Sequence, residues 1–174
     1  GEPAKLGELA REAQALARRI QHLPGLARTW RLLGDVCQAQ GQLNAAQRAF
    51  DEYLTISRRL VEQDPSNAGW QRDLAVAHRK VGVVLQAQGN LEAAQTAFDE
   101  YLKISRRLAG QDPSKAGWQR DLAVANSWVG GVLKAQGNLE AAQTAFDEYL
   151  KISRRLAEQD PSNAAWQRGL AVAH

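Results

Sequence analysis

Few side chains in this sequence could do acid–base, nucleophilic or metal chemistry, and they do not converge. His22, His78 and His174 fall at unrelated places along the chain, whereas a metal site or a proton-transfer centre needs several donors at one spot. Two of them sit near expected helix ends, where a surface or capping role is the simpler reading. Cys37 is the only cysteine, so no internal disulfide and no cysteine-based metal site can form. It falls on an apolar helical stripe, at a place where later copies of the same pattern have Leu85 and Leu133. A buried, unreactive thiol is expected there. The sequence therefore reads as non-enzymatic, with no cofactor and no metal.

What remains is the chemistry of recognition. Arg58-Arg59, Arg106-Arg107 and Arg154-Arg155 recur regularly, and evenly spaced cations can neutralise phosphates. The plainer expectation is a solvated outer ladder, because cations near a helix C-terminus favour the macrodipole and Asp99 faces Lys103 at i,i+4. No aromatic residues interleave with these arginines as a stacking platform would require. The net charge of +3 is spread among interspersed acids and bases, and nucleic acid is disfavoured as a partner. No apolar run approaches the roughly 18 to 20 residues of a membrane span, and a cytoplasmic setting is the expectation.

The elements that must position these groups follow from self-similarity. Asp51–Phe98 reappears as Asp99–Phe146, and Asp147–His174 begins the pattern again, so the period is 48 residues. Within a period Trp70, Leu74, Ala77, Val81, Val84 and Leu85 follow a three–four spacing, which predicts a helix with one apolar face. Gly89-Asn90 stops it, glycine being suited to a left-handed cap. Leu91, Ala94, Ala97, Phe98, Tyr101, Leu102, Ser105 and Leu108 make a second stripe that runs to about Gln111. Asp112-Pro113-Ser114 then ends the unit, with Ser114 as the expected N-cap of the next helix. Ala, Leu, Gln, Arg and Glu dominate, and β-branched residues never alternate as a sheet would need.

Neither helix could bury its stripe alone, so the expected fold is all-α, a solenoid of stacked antiparallel helix pairs. The expected divisions are a helix of a preceding unit at 5–22, repeats at 24–64, 66–112 and 114–160, and the start of another at 162–174. A lone helix at one end and a half-length one at the other read as a piece of a longer array. Trp70, Phe98 and Tyr101 are the expected core.

Trp30, Leu33, Gly34, Gly41, Ala46 and Phe50, followed by Asp64-Pro65, resemble the tetratricopeptide repeat in order and spacing. The later copies match again through Val81, Gly82, Gly89, Ala94, Phe98 and Asp112-Pro113, and through Val129, Gly130, Gly137, Ala142, Phe146 and Asp160-Pro161. The family's usual repeat is about 34 residues, so each unit here carries about 14 more, expected to be shared between its two helices. Tyr53, Tyr101 and Tyr149 stand where the family usually has a small alanine.

The resemblance implies a superhelix whose first helices line a concave groove that holds a partner protein or peptide. The matching positions are Arg31, Asp35, Gln38, Arg79, Lys80, Val83, Gln86, Ser127, Trp128, Gly131 and Lys134. The two near-identical copies differ at nine pairs, and five of these lie between residues 78 and 86 or their equivalents. A binding surface laid over a fixed scaffold would produce this pattern, as would neutral drift on an exposed face. Trp128 has Leu32 and Lys80 as its equivalents and is expected to be an exposed aromatic anchor. The family's clamp for C-terminal carboxylates is not matched, since Asp35 and Val83 occupy places that would need amide or basic groups. The rival expectations are self-assembly through open solenoid ends, giving a homo-oligomer, and a regulatory repeat region of a larger effector enzyme.

Overall fold

The computed structural model describes residues 22–160, with Glu12 and Ala15 in the stretch before them. Among the described residues there are six α-helices and no strand: α1 Leu23–Ala39, α2 Leu43–Gln63, α3 Ala68–Ala87, α4 Leu91–Gln111, α5 Ala116–Ala135 and α6 Leu139–Gln159. The fold is an all-α helical repeat. The expected helix before His22 and the expected start of a further unit at 162–174, with Trp166 and His174, lie outside the described residues.

Two kinds of turn alternate, each dictated by its sequence. After α1, α3 and α5, Gly41, Gly89 and Gly137 take φ of +72°, +80° and +84°, a conformation open to glycine and costly to most other residues. The amides of Gln42, Asn90 and Asn138 then donate back to the Cys37, Leu85 and Leu133 carbonyls, each at 2.9 Å, and these bonds close the helix end in a Schellman arrangement. After α2 and α4 the chain turns through Asp-Pro-Ser. Asp64 Oδ1 accepts from the Ser66 amide at 3.0 Å and from its hydroxyl at 2.6 Å, and Asp112 does the same with Ser114 at 3.1 and 2.5 Å.

This turn corrects one expectation. Ser114 does not cap α5, because its hydroxyl is already donated to Asp112 and the cap position falls one residue later, at Lys115, which makes no side-chain cap bond. In the preceding copy that position is Asn67, whose Oδ1 accepts from the Trp70 amide at 3.1 Å. Lys115 instead lays its ammonium 4.0 Å from the Trp118 ring centroid.

The chain divides into two compact units between Asn90 and Leu91. In the first, α2 packs against both α1 and α3; in the second, α5 packs against both α4 and α6. The short turns within each unit make its packed neighbours antiparallel. The first core gathers Ala46, Ala49, Phe50, Tyr53, Ile56 and Leu60 from α2 with Cys37 from α1 and Ala75, Ala77, Val81 and Val84 from α3. The second holds Phe98, Tyr101, Ile104 and Leu108 of α4 with Ala123, Ala125, Val129 and Val132 of α5, and Ile152 and Leu156 of α6. Helices α3 and α4 are 20 and 21 residues long, so the extra length of the unit is shared almost equally.

Phe98 and Tyr101 are buried as expected, and the tyrosines have a specific use. Tyr53 Oη donates to the Asp73 carbonyl at 3.0 Å and Tyr101 Oη to the Asp121 carbonyl at 3.2 Å. Each ring therefore spans the gap to the next helix and ends on its backbone. Trp70 and Trp118, by contrast, are only half-buried. They stand in the first turn of α3 and α5, where the helix end leaves part of the indole open.

Candidate functional site

On α3 the buried residues Val81, Gly82 and Val84 alternate with Arg79, Lys80, Val83 and Gln86, none of which is buried. At about 100° per residue, positions 79, 83 and 86 fall within an arc of about 60°, with 80 about 60° beyond it. The equivalent arc on α5 carries Ser127, Gly131 and Lys134, with Trp128 likewise outside it. On α1 it carries Arg31, Asp35 and Gln38, all half-buried.

Comparing the two copies position by position, every apolar residue buried in both is identical. Of the nine differing pairs, only His78/Asn126 is buried in both copies, and it is polar in each. Asn126 Nδ2 donates to the Leu122 carbonyl at 3.0 Å.

In the first unit the structure brings two of the candidate residues together. Lys80 Nζ lies 2.6 Å from Asp35 Oδ1, linking α3 to α1, and the same ammonium sits 5.6 Å from the Phe50 ring centroid. The pair is half-buried, and each charge is largely neutralised by the other. Arg31 is within charge range of the Asp73 carboxylate, where its guanidinium favours the ionised form against the opposing effect of burial. The Tyr53 phenol between these groups is pushed well above its ordinary range, by burial first and by the Asp73 carboxylate second. The sequence analysis placed Lys80 and Asp35 among the groove-lining positions without pairing them with each other. A pairing between residues so far apart in sequence leaves no local trace.

In the second unit Trp128 departs from expectation. Its ring stacks on Phe98, with centroids 5.3 Å apart and planes inclined by 20°, and the residue is half-buried instead of freely exposed. Lys80 and Trp128 thus do one job in two chemistries: each lies over the phenylalanine of the preceding helix, one through a cation–π contact and the other through stacking.

Gly130 and Gly131 separate two reasons for a glycine inside a helix. A Cβ on Gly130 would come within 2.8 Å of Phe146 Cε1, whereas one on Gly131 would meet nothing within 4 Å. Glycine costs about 1 kcal/mol relative to alanine in a helix interior, and at Gly131 no packing among the described residues accounts for it. Lys134, one turn on, is exposed, and among the described residues it has no acidic partner.

The remaining candidates for chemistry are structural. His22 caps α1, its Nδ1 accepting from the Gly25 amide at 3.0 Å. Cys37 is 4% exposed, and burial pushes its thiol up. Among the described residues no group of three His, Cys, Asp or Glu side chains is placed to hold a metal ion, and no helix is long and apolar enough to cross a membrane. The outer arginines are not all solvated. Arg155 Nη2 donates to Gln119 Oε1 at 2.6 Å, while Gln119 Nε2 donates to the Ala109 carbonyl at 3.0 Å. The second arginine of that pair therefore ties α6 to α5.

Residues 74–114 match the tetratricopeptide repeat family. The chain carries a TPR-like repeat. The matched stretch runs from within α3 through α4 to Ser114. Among solved structures, BtubC (BKLC) from P. vanneervenii superposes with a TM-score of 0.66 at 20% identity, over 98% of this chain and 60% of that one. That likeness shows the fold, and the chain spans 60% of the length of that protein. The DHF79 filament aligns at TM-score 0.39 and 18% identity, over 98% of this chain and 97% of that one. The de novo designed helical repeat protein DHR64 aligns at 0.36 and 15%, over 98% and 90%. No curated protein sequence matches the chain. TPR-like repeats serve as scaffolds built by stacking one kind of unit, which accounts for apolar residues buried in both copies that repeat while less buried positions change.

Proposed function

We propose that this chain is a protein-interaction scaffold that holds a partner protein or peptide along the faces of its first-type helices, α1, α3 and α5. The observation that carries the reading is the distribution of differences between the two copies. Apolar positions buried in both copies are constant, while Arg79/Ser127, Lys80/Trp128, Val83/Gly131 and Gln86/Lys134 change on one stretch of one helix. Packing fixes the first set; recognition of a non-repetitive ligand is what makes use of the second.

The test is to pan a displayed library of random peptides on the intact chain and measure the affinity of enriched sequences by fluorescence anisotropy. A variant with Arg79, Gln86, Ser127 and Lys134 all changed to Ala should lose at least about tenfold in affinity, and the Arg106→Ala, Arg107→Ala pair should bind as before. Failure to enrich any peptide, or equal binding by both variants, refutes the reading.

Self-association is a second reading with one observation behind it. Leu32 and Val36 on α1 are 51% and 43% exposed, whereas Val84 and Val132, the equivalents of Val36, are fully buried. Light scattering over a dilution series that shows a monomer at every concentration removes it.

A further inference from the structure

We propose that the outer face of α6, with the first turns of α5 beside it, is a two-fold contact with a second copy of this chain, in which Asp147 of each copy meets Arg154 of the other across a centre made by Leu150 and Lys151. The contact goes beyond the scaffold reading and uses none of the residues that carry it, nor Leu32 and Val36 on α1.

The second unit holds a groove of about 780 Å³ along this face. Leu122 of α5 and Leu150 and Ile152 of α6 give it an apolar floor, and Gln119, fixed by the bond it accepts from Arg155, stands in its wall. Leu122 and Leu150 are only half-buried, so covering them removes apolar surface from water. On α4 the same residue types, at Asp99, Leu102, Lys103 and Arg106, line a smaller hollow of about 430 Å³ with no second helix in its wall. The contact is therefore assigned to α6.

The order of charges names the occupant. Asp147, Leu150, Lys151 and Arg154 fall within an arc of about 100° on α6, and the three charged residues are exposed. A two-fold axis between Leu150 and Lys151 leaves Asp147 three residues to one side and Arg154 three to the other. An antiparallel copy thus sets opposite charges together twice, about 10 Å apart along the helix, while each Lys151 stem covers Leu150 of the other copy. A parallel copy would set Asp147 on Asp147 and Arg154 on Arg154. Such self-complementarity is what an isologous contact requires. Arg154 has no acidic partner among the described residues, whereas Lys151 is held by Glu148 at 3.3 Å. Exposed ion pairs contribute little by themselves; the covered leucines supply affinity and the charges fix direction.

The experiment is sedimentation velocity on the intact chain from about 1 µM to about 1 mM, the range expected for a small contact. It should show a monomer–dimer equilibrium that weakens as salt rises. Arg154→Glu and Asp147→Arg should each weaken dimerisation at least about tenfold, because each places like charges in both pairs, and the chain carrying both changes should return to within about threefold of the wild type. The two single variants, mixed in equal amounts, should associate, since each supplies the charge that the other lacks. Far-ultraviolet circular dichroism should be unchanged throughout, the substituted positions being exposed. A monomer at every concentration, a dimer indifferent to the single reversals, or a double reversal that does not restore it overturns the two-fold contact. A dimer abolished by Leu32→Glu with Val36→Glu but kept by Arg154→Glu overturns it in favour of the α1 face.

Discussion

Adjacent glycines on α5 make the sharpest test of the packing, because the backbone contribution of replacing them is shared and cancels in the difference. Gly130→Ala and Gly131→Ala each remove a helix-interior glycine, a gain of about 1 kcal/mol. At Gly131 the new methyl meets nothing within 4 Å, so the gain should appear nearly whole. At Gly130 it arrives 2.8, 2.9 and 3.0 Å from three carbons of Phe146, where carbon atoms prefer about 3.5 to 4.0 Å. Phe146 is half-buried and can tilt outward, so the cost falls in the lower part of the 1 to 3 kcal/mol typical of overpacking. The expected net effect at Gly130 is about zero to a loss of about 1 kcal/mol. Gly34→Ala is the severe case. Its methyl would come 2.3 Å from Cε1 of Phe50, a ring with no exposed surface on which to move, and a net loss of about 1 to 2 kcal/mol follows. Urea melts followed by far-ultraviolet circular dichroism give the order directly, as shifts in midpoint at unchanged slope. If Gly130→Ala stabilises as much as Gly131→Ala, or Gly34→Ala proves the mildest of the three, the placement of the phenylalanine rings is wrong.

Trp128→Ala should cost about 1 to 3 kcal/mol of stability through loss of the Phe98 stack and the buried part of the indole; an unchanged melt would restore the reading of a free aromatic anchor. Tyr101→Phe should lose about 0.5 to 1.5 kcal/mol, the usual value of one hydrogen bond, and a silent substitution would mean that the bond to the Asp121 carbonyl is not made. Hydrogen bonds from Ser66 and Ser114 hold the Asp64 and Asp112 carboxyls below their ordinary range. A depressed folded value stabilises above the unfolded carboxylate pKa and loses that effect as pH falls through the folded one. Ser66→Ala with Ser114→Ala should therefore lower stability at neutral and alkaline pH alike and move acid unfolding to higher pH, with the difference from the wild type vanishing once both carboxyls are protonated, read by circular dichroism melts across the pH range.

The helices were legible because two signals agreed. The three–four stripe marked each interior, and glycine or Asp-Pro marked each end, so the expected limits at Gly89-Asn90 and Gln111 coincide with the observed ones. Local chemistry was less so. Ser114 carries the right group for a cap, but the preceding Asp112 competes for its hydroxyl, and which contact wins depends on backbone geometry within the turn. Trp70 has the right spacing for the core, yet periodicity reports the side of a helix and says nothing of how near its end a residue lies. The candidate face was legible as a set of variable positions. What each position does was not, because the Lys80–Asp35 pair and the Trp128–Phe98 stack join residues 45 and 30 apart in sequence.

The tyrosine bonds carry a consequence for how such a chain can change over evolutionary time. Tyr53 and Tyr101 end on peptide carbonyls, which every amino acid supplies. A tie of that kind survives any substitution at the accepting position that keeps the helix. Each pair of helices can therefore accumulate changes singly, without a compensating change in its neighbour, once a unit has been copied. Where two side chains hold each other, as at Lys80 and Asp35, mutation of either partner strands the other. The tandem copies have drifted apart mainly on half-buried and exposed positions, while Tyr53 and Tyr101 continue to hold the same main-chain atom of the next helix.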